Sequence, residues 1–163
     1  MRKIAVCPGS FDPITLGHLD IIERAASLFE KVIVLVSFNT QKTPSFSVEE
    51  RIEMINRVVK GMDNVVVDCW DGLLADYLKE RQATAIIKGL RAVTDFEYEF
   101  SMALANKKLY DGAETVFLTT SEQNLYLSSS LVKEIARFGG DISSFVPEQV
   151  HDIITDRLKR NKK

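Results

Sequence analysis

Two histidines occur in the 163 residues, and one of them closes an unusual run, Val6-Cys7-Pro8-Gly9-Ser10-Phe11-Asp12-Pro13-Ile14-Thr15-Leu16-Gly17-His18. Proline fixes φ and glycine admits backbone that other residues avoid, so this stretch is tightly specified. Gly9 leaves room for a close approach to the backbone, and Ser10 offers a hydroxyl and an amide just past a short apolar run. His18 falls in the first turn of the amphipathic segment that follows. Unpaired N–H groups and the positive end of the helix dipole favour anions there and oppose imidazolium. A neutral imidazole so placed can donate one N–H to a phosphate oxygen. The same residues serve equally well as a shaped turn with a solvated or locally capping histidine. The run is neither G-x-x-x-x-G-K-[ST] nor G-x-G-x-x-G, so the two common nucleotide fingerprints do not apply.

Three further stretches could contribute to such a site. Phe38-Asn39-Thr40-Gln41-Lys42-Thr43-Pro44 sets a lysine beyond a β-branched run. Lys88-Gly89-Leu90-Arg91 flanks a glycine with two cations, the arginine able to fork a phosphate and the lysine acting as a point charge. Ser128-Ser129-Ser130 brings three hydroxyls to a helix start. Capping accounts for one of them, and the surplus suits a polyphosphate. Singly, each of these is also an ordinary surface feature. No Ser-His-Asp order is evident and no metal-ligand spacing groups the carboxylates, so the pattern points to phosphate chemistry run by donors and cations.

The elements that must position these residues alternate. Strands are expected at Lys3–Cys7, Val32–Val36, Val65–Val67, Ala83–Ile87 and Thr115–Thr119. Helices are expected at Leu19–Phe29, from the capping box Ser47-Val48-Glu49-Glu50 through Val59, at Leu73–Arg81, Asp95–Tyr110 and Ser130–Phe138, and from Pro147 onward. Strands alternating with helices give right-handed βαβ units and an open parallel sheet. Ligands of such sheets lie beyond the carboxyl ends of the strands, at the switch point. The segments 9–18, 37–46, 88–94 and 119–130 all fall there. The segment Phe96–Tyr110 carries Phe96, Tyr98, Phe100, Met102, Leu104, Ala105 and Leu109, apolar on more than one face, which suits deep burial or a subunit contact.

Composition sets bounds. A hydrophobic share of 45% and a charged share of 27% suit one globular domain with a core of its own. The net charge of −2 offers no general attraction for nucleic acid. Cys7 and Cys69 lack the spacing of a disulfide framework or zinc site and read as thiols of a cytoplasmic protein. Neither a signal peptide nor a membrane span is expected.

Taken together, these residues resemble the bacterial phosphopantetheine adenylyltransferases of the nucleotidyltransferase superfamily. The superfamily's T/H-x-G-H motif stands as Thr15-Leu16-Gly17-His18, preceded by Gly9-Ser10-Phe11-Asp12-Pro13. The serine signature stands as Leu127-Ser128-Ser129-Ser130-Leu131-Val132-Lys133-Glu134, with Lys42, Gly89-Leu90-Arg91 and Asp95-Phe96-Glu97-Tyr98-Glu99 between them. The match runs over nearly the whole chain. Three positions depart from the usual pattern: Lys88 replaces an arginine, Asn124 stands where many members carry tryptophan, and Ser10 replaces threonine.

The resemblance implies a single nucleotidyltransferase domain over residues 1–163 and an α/β fold, a Rossmann-like open five-stranded parallel sheet with helices on both faces and C-terminal helices appended. It implies transfer of AMP from ATP to 4′-phosphopantetheine, with magnesium, in a cytoplasmic homohexamer without nucleic-acid or membrane partners. By the same resemblance Ser10, Lys42, Leu74 and Lys88 face the pantetheine substrate. Ser10, Phe11, His18, Gly89, Leu90, Arg91, Glu99, Asn124, Leu125, Tyr126, Leu127, Ser128, Ser129 and Ser130 line the ATP site, and His18, Lys42, Ser10 and Arg91 carry the catalysis. The competing readings are a nicotinamide or nicotinate mononucleotide adenylyltransferase, which shares the G-x-F-D-P and G-H segments, and a nucleotide-binding module without turnover.

Overall fold

Along Val32-Ile33-Val34-Leu35-Val36 every side chain is buried, and successive side chains point to opposite faces of a strand. Val32, Val34 and Val36 pack into one core and Ile33 and Leu35 into another, so helices must cover both faces. Each such residue contributes about 2 kcal/mol of burial. The structure, a computed structural model, describes residues 3–38, 43–91 and 93–159.

Five parallel strands, β1 (Ile4–Gly9), β2 (Lys31–Ser37), β3 (Val65–Trp70), β4 (Ala85–Leu90) and β5 (Glu114–Thr119), lie in the order β3-β2-β1-β4-β5. The chain fills one half of the sheet, then returns past β1 to build the other. The switch point therefore lies between β1 and β4, which pair through Ala5–Ala85 and Val6–Ile86. Helices α1 (Leu16–Leu28) and α2 (Val48–Val59) cover one face, joined by α5 (Ser129–Arg137) and α6 (Glu148–Lys159). On the other face α3 (Leu74–Arg81) buries Tyr77 and Leu78 against Val6, Ile33 and Ile86, with α4 (Val93–Leu109) packed beside it. A single 3₁₀ turn, Glu122–Asn124, links β5 to α5. No helix among the described residues is long and apolar enough to cross a membrane.

Three boundaries bear on the site. β4 runs on to Leu90, so Lys88 and Gly89 belong to the strand and only Arg91 follows it. β1 likewise includes Pro8 and Gly9. Helix α1 begins at Leu16, three residues earlier than the apolar periodicity indicates, because Thr15 caps it. Of the two expectations for α4, deep burial does not hold within the chain: Phe96, Tyr98, Phe100, Met102, Leu104 and Leu109 are all exposed.

Candidate active site

The β1–α1 loop turns sharply. Phe11 takes a left-handed backbone at φ 48°, a conformation that costs a non-glycine residue about 1 kcal/mol or more. Its ring is buried and meets the His18 ring edge-on at 5.0 Å. Gly9 makes room for that ring, since a Cβ at Gly9 would stand 3.0 Å from it. The close approach expected at Gly9 is thus the loop's own phenylalanine.

Thr15 and His18 cap α1 reciprocally. The His18 N–H donates to Thr15 Oγ1 (3.3 Å), and the Thr15 N–H donates to His18 Nδ1 (3.0 Å). This is a capping box with histidine in the place usually held by glutamate. A backbone amide can only donate, so Nδ1 is an acceptor and the ring proton sits on Nε2. Burial, reinforced by the nearby Arg91 and Lys88 charges, lowers the imidazole pKa from 6.5 to about 4. His18 is therefore a neutral Nε2–H donor at physiological pH. With one nitrogen committed and the other protonated, it cannot serve as general base for a serine.

Asp12 fixes what surrounds the loop. Its buried carboxylate accepts the Phe46 N–H (2.9 Å), the Ser45 N–H (3.0 Å) and the Lys133 ammonium (3.0 Å). From α5, Ser129 Oγ donates to the Pro13 carbonyl at 2.7 Å. From α2, buried Arg51 donates to the Ser10 carbonyl at 2.8 Å. Arg157 of α6 reaches the same segment, donating to Ser45 O (3.3 Å) and Glu50 with its guanidinium over the Phe46 ring. The serine run divides its labour accordingly: Ser128 caps α5 by accepting from the Leu131 N–H, Ser129 is spent on Pro13, and Ser130 lines the cavity below.

These elements enclose a cavity of about 580 Å³ at the switch point. Ser10, Phe11, His18, Lys88, Gly89, Arg91, Glu99, Asn124, Leu127 and Ser128–Ser130 line it. Leu74, Leu90, Leu125 and Tyr126 do not line it: Leu74, at the start of α3, packs against the core on the α3 face of the sheet, while Leu125 and Tyr126 are exposed. Lys42 lies outside the described residues. Both described cations of the cavity already have partners on α4. Lys88 meets Glu99 at 3.2 Å, and Arg91 meets Asp95 at 3.2 Å while donating to the Leu127 carbonyl at 2.6 Å. Asp95 and Glu99 are one turn apart on the helix, so their carboxylates share a face. Gly89 brings β4 close to α1, where a Cβ would stand 2.9 Å from Ile21.

Sequence reasoning gave Asp12, Thr15, Asp95 and Tyr98 no role beyond their place in the motifs and did not single out Arg51 or Thr120. Thr15 had a readable signal, a threonine three residues before a side chain able to accept a backbone N–H. Asp12 and Arg51 had none, because their partners are dozens of residues away. The assembled site holds a neutral donor, two cations, a serine and helix-start amides facing one space, which suits a polyanion whose charge shifts during reaction.

The comparisons follow the same lines. The family described as Cytidylyltransferase-like matches residues 6–135. Phosphopantetheine adenylyltransferase of Caldanaerobacter subterraneus subsp. tengcongensis is 57% identical over 159 residues, covering 98% of this chain and 99% of that protein. The protein of the same name from Thermotoga neapolitana is 52% identical over 160 residues, with the same coverage. Among solved structures, a putative nicotinate-nucleotide adenylyltransferase from Vibrio parahaemolyticus superposes with a TM-score of 0.75 at 20% identity, covering 98% of this chain and 96% of its own. Plasmodium falciparum nicotinic acid mononucleotide adenylyltransferase complexed with NaAD gives 0.68 at 14% identity, covering 99% and 96%. At those identities the structures establish the Rossmann-like nucleotidyltransferase fold alone. The sequence relationship runs essentially end to end and takes in the T-x-G-H cap, the switch-point cations and the serine helix, and by it this chain belongs to the phosphopantetheine adenylyltransferases of the cytidylyltransferase-like family.

Proposed function

We propose that this chain moves the adenylyl group of ATP to 4′-phosphopantetheine, giving dephospho-coenzyme A and pyrophosphate, a late step of coenzyme A biosynthesis. The observation that carries the chemistry is the Thr15–His18 cap, which leaves a neutral Nε2–H on a ring lining the same cavity as Lys88 and Arg91. An ionised phosphate oxygen of the acceptor attacks the α-phosphorus in line. A new P–O bond forms, the α–β bridging bond breaks, and pyrophosphate departs with its electron pair. The acceptor is already nucleophilic at neutral pH, so the protein supplies position and charge stabilisation.

In this reading His18 donates to a non-bridging oxygen of the transferring group and Ser10 orients the two substrates. Lys88 holds the acceptor phosphate, and Arg91 with Ser130 and the α5 amides holds the β- and γ-phosphates. Lys42 joins His18 by resemblance. Phe11, Gly89, Glu99, Asn124 and Leu127 wall the nucleotide. No group of three or more metal-ligating side chains occurs among the described residues. Asp95 and Glu99 are engaged by Arg91 and Lys88, so the donor set fits a magnesium ion that arrives on the triphosphate, held by phosphate oxygens and water. Bound there, magnesium neutralises part of the charge that keeps two polyanions apart. Assembly as a homohexamer in the cytoplasm completes the reading, supported by the exposed apolar face of α4 and by the two free thiols.

The test is pyrophosphate release from ATP and magnesium, with 4′-phosphopantetheine and nicotinate or nicotinamide mononucleotide offered separately. Release with phosphopantetheine alone is expected. Release with a mononucleotide would reassign the acceptor, and ATP binding without release from any of them would leave a binding module.

A further inference from the structure

Arg51 is 4% exposed, yet it belongs to α2 and does not line the cavity. Its Nε donates to the Ser47 carbonyl (3.2 Å) and its Nη1 to the Ser10 carbonyl (2.8 Å). No carboxylate among the described residues pairs with it. Glu50, its neighbour in the chain, is taken by Arg157, and Asp12 of the same loop is taken by Lys133. A buried cation held only by carbonyl oxygens is costly, and a neutral donor would anchor α2 without that cost.

What the charge holds is a peptide under strain. The Ser10–Phe11 bond is trans, so its N–H points opposite to its C=O. With the oxygen turned to Arg51, the Phe11 N–H turns away from α2. Ser10 and Phe11 both line the cavity, and that N–H has no partner among the described residues. A buried amide left unpartnered is costly unless a ligand or water takes it. Phe11 meanwhile sits at φ 48°, in the left-handed region. Half a turn of this one peptide about its Cα–Cα axis would carry φ back to the negative side that L residues prefer. It would also put a carbonyl where the N–H stands, and an anion would meet an acceptor instead of a donor. The strain thus favours the wrong orientation, and the Arg51 bond to the Ser10 oxygen opposes it. A charge-assisted bond is about twice as strong as a neutral one, which suits that task.

We propose that Arg51 is a positioning residue for adenylyl transfer: it holds the Ser10–Phe11 peptide so that the Phe11 N–H stays aimed at the phosphate being transferred. The inference rests on the adenylyl-transfer reading and adds to it a residue that touches neither substrate. A second effect has the same sign. The cation draws electron density from the Ser10 oxygen, and because both groups belong to one amide, the Phe11 N–H becomes the stronger donor.

The experiment combines steady-state kinetics for ATP and 4′-phosphopantetheine with the NMR resonance of the Phe11 amide, recorded with and without ATP and magnesium. In wild type ATP should move the Phe11 amide proton downfield. In Arg51→Met, kcat and kcat/KM for ATP should fall together by about 10²-fold, the loss of one donor to a developing charge. The Phe11 proton of that variant should no longer respond to ATP. A residue that merely anchors α2 would, when replaced, lower stability and leave the kcat of the folded protein intact. A folded Arg51→Met with kcat within about threefold of wild type therefore overturns the proposal. If that variant does not fold, Arg51→Lys decides. With one donor head for two carbonyls, its Phe11 proton should respond less than in wild type, and an equal response overturns the proposal. A wild-type Phe11 proton unmoved by ATP overturns it outright. If wild type releases no pyrophosphate with 4′-phosphopantetheine, the transfer reading fails separately, and the ATP response of the Phe11 proton in the three proteins still decides the role of Arg51.

Discussion

On one side of the cavity the β1–α1 loop is held by Arg51 from α2, by Lys133 and Ser129 from α5, and by its own buried Phe11. On the other side stands α4, which lends Asp95 and Glu99 to the cations but turns Phe100, Met102 and Leu104 to solvent. The loop is over-determined within a single chain: Ser10, Phe11, Asp12, Pro13 and Thr15 each have a named partner. The helix is under-determined, with apolar area left over. A donor aimed at a developing charge must be fixed in advance, since reorganisation at the moment of reaction costs rate. A wall that meets ligand only through the cations its carboxylates hold tolerates looser support and can take it from a neighbouring molecule.

The largest effect should fall on the fixed side. His18→Ala is expected to lower kcat roughly 10²- to 10³-fold. The lost cap should remove only about 1 kcal/mol of stability, with circular dichroism unchanged. A near-normal rate would take His18 out of the chemistry. The native ring is also expected to keep its Nε2–H tautomer by NMR from pH 8 down to about 5, since its pKa is lowered to about 4. The sign follows directly. Between pH 6.5 and about 4 the unfolded chain binds a proton that the native ring refuses, so His18 makes stability fall as pH falls through that window. A native ring that titrates near 6.5 would contradict the cap.

Asp12→Asn comes next. It sets an amide against three donors, and loss of about 2–4 kcal/mol is expected by chemical denaturation. Because Ser45, Phe46 and Lys133 are released together, activity should fall beyond what unfolding explains, measured where the variant is fully folded. If Asp12→Asn is as stable as wild type, the loop is not held as described. Smallest in catalytic terms is Leu104→Glu on α4. The secondary structure should persist while light scattering reports a smaller assembly, and an unchanged mass would show that α4 is not the contact.

The difference between the walls also explains what could be read from residues alone. Uninterrupted apolar runs and period-3.6 stripes located the five strands and six helices of the described residues, because the burial of a local element is written locally. The Ser47–Glu50 capping box was legible for the same reason and forms as expected. The strand ends were less so. β4 gains Lys88, Gly89 and Leu90 because β5 continues to pair with it through Thr119, which the Lys-Gly-Leu composition does not announce. His18 stood out by type and spacing, yet its tautomer depends on a Thr15 amide whose direction only the folded turn settles. Asp12 read as part of a motif. Its work lies 33, 34 and 121 residues away, and distance of that kind leaves no periodic trace.

The pairing of Lys88 with Glu99 and of Arg91 with Asp95 has one more consequence. An anion that enters must take over from a carboxylate already in place, so what counts is the exchange and not the bare attraction. A small ion held at one point gains little from such a trade, whereas a molecule that grips both cations at once gains twice while losing its freedom once. The pairing thereby weights the pocket toward molecules that bear charge at two separated points over ions held at one.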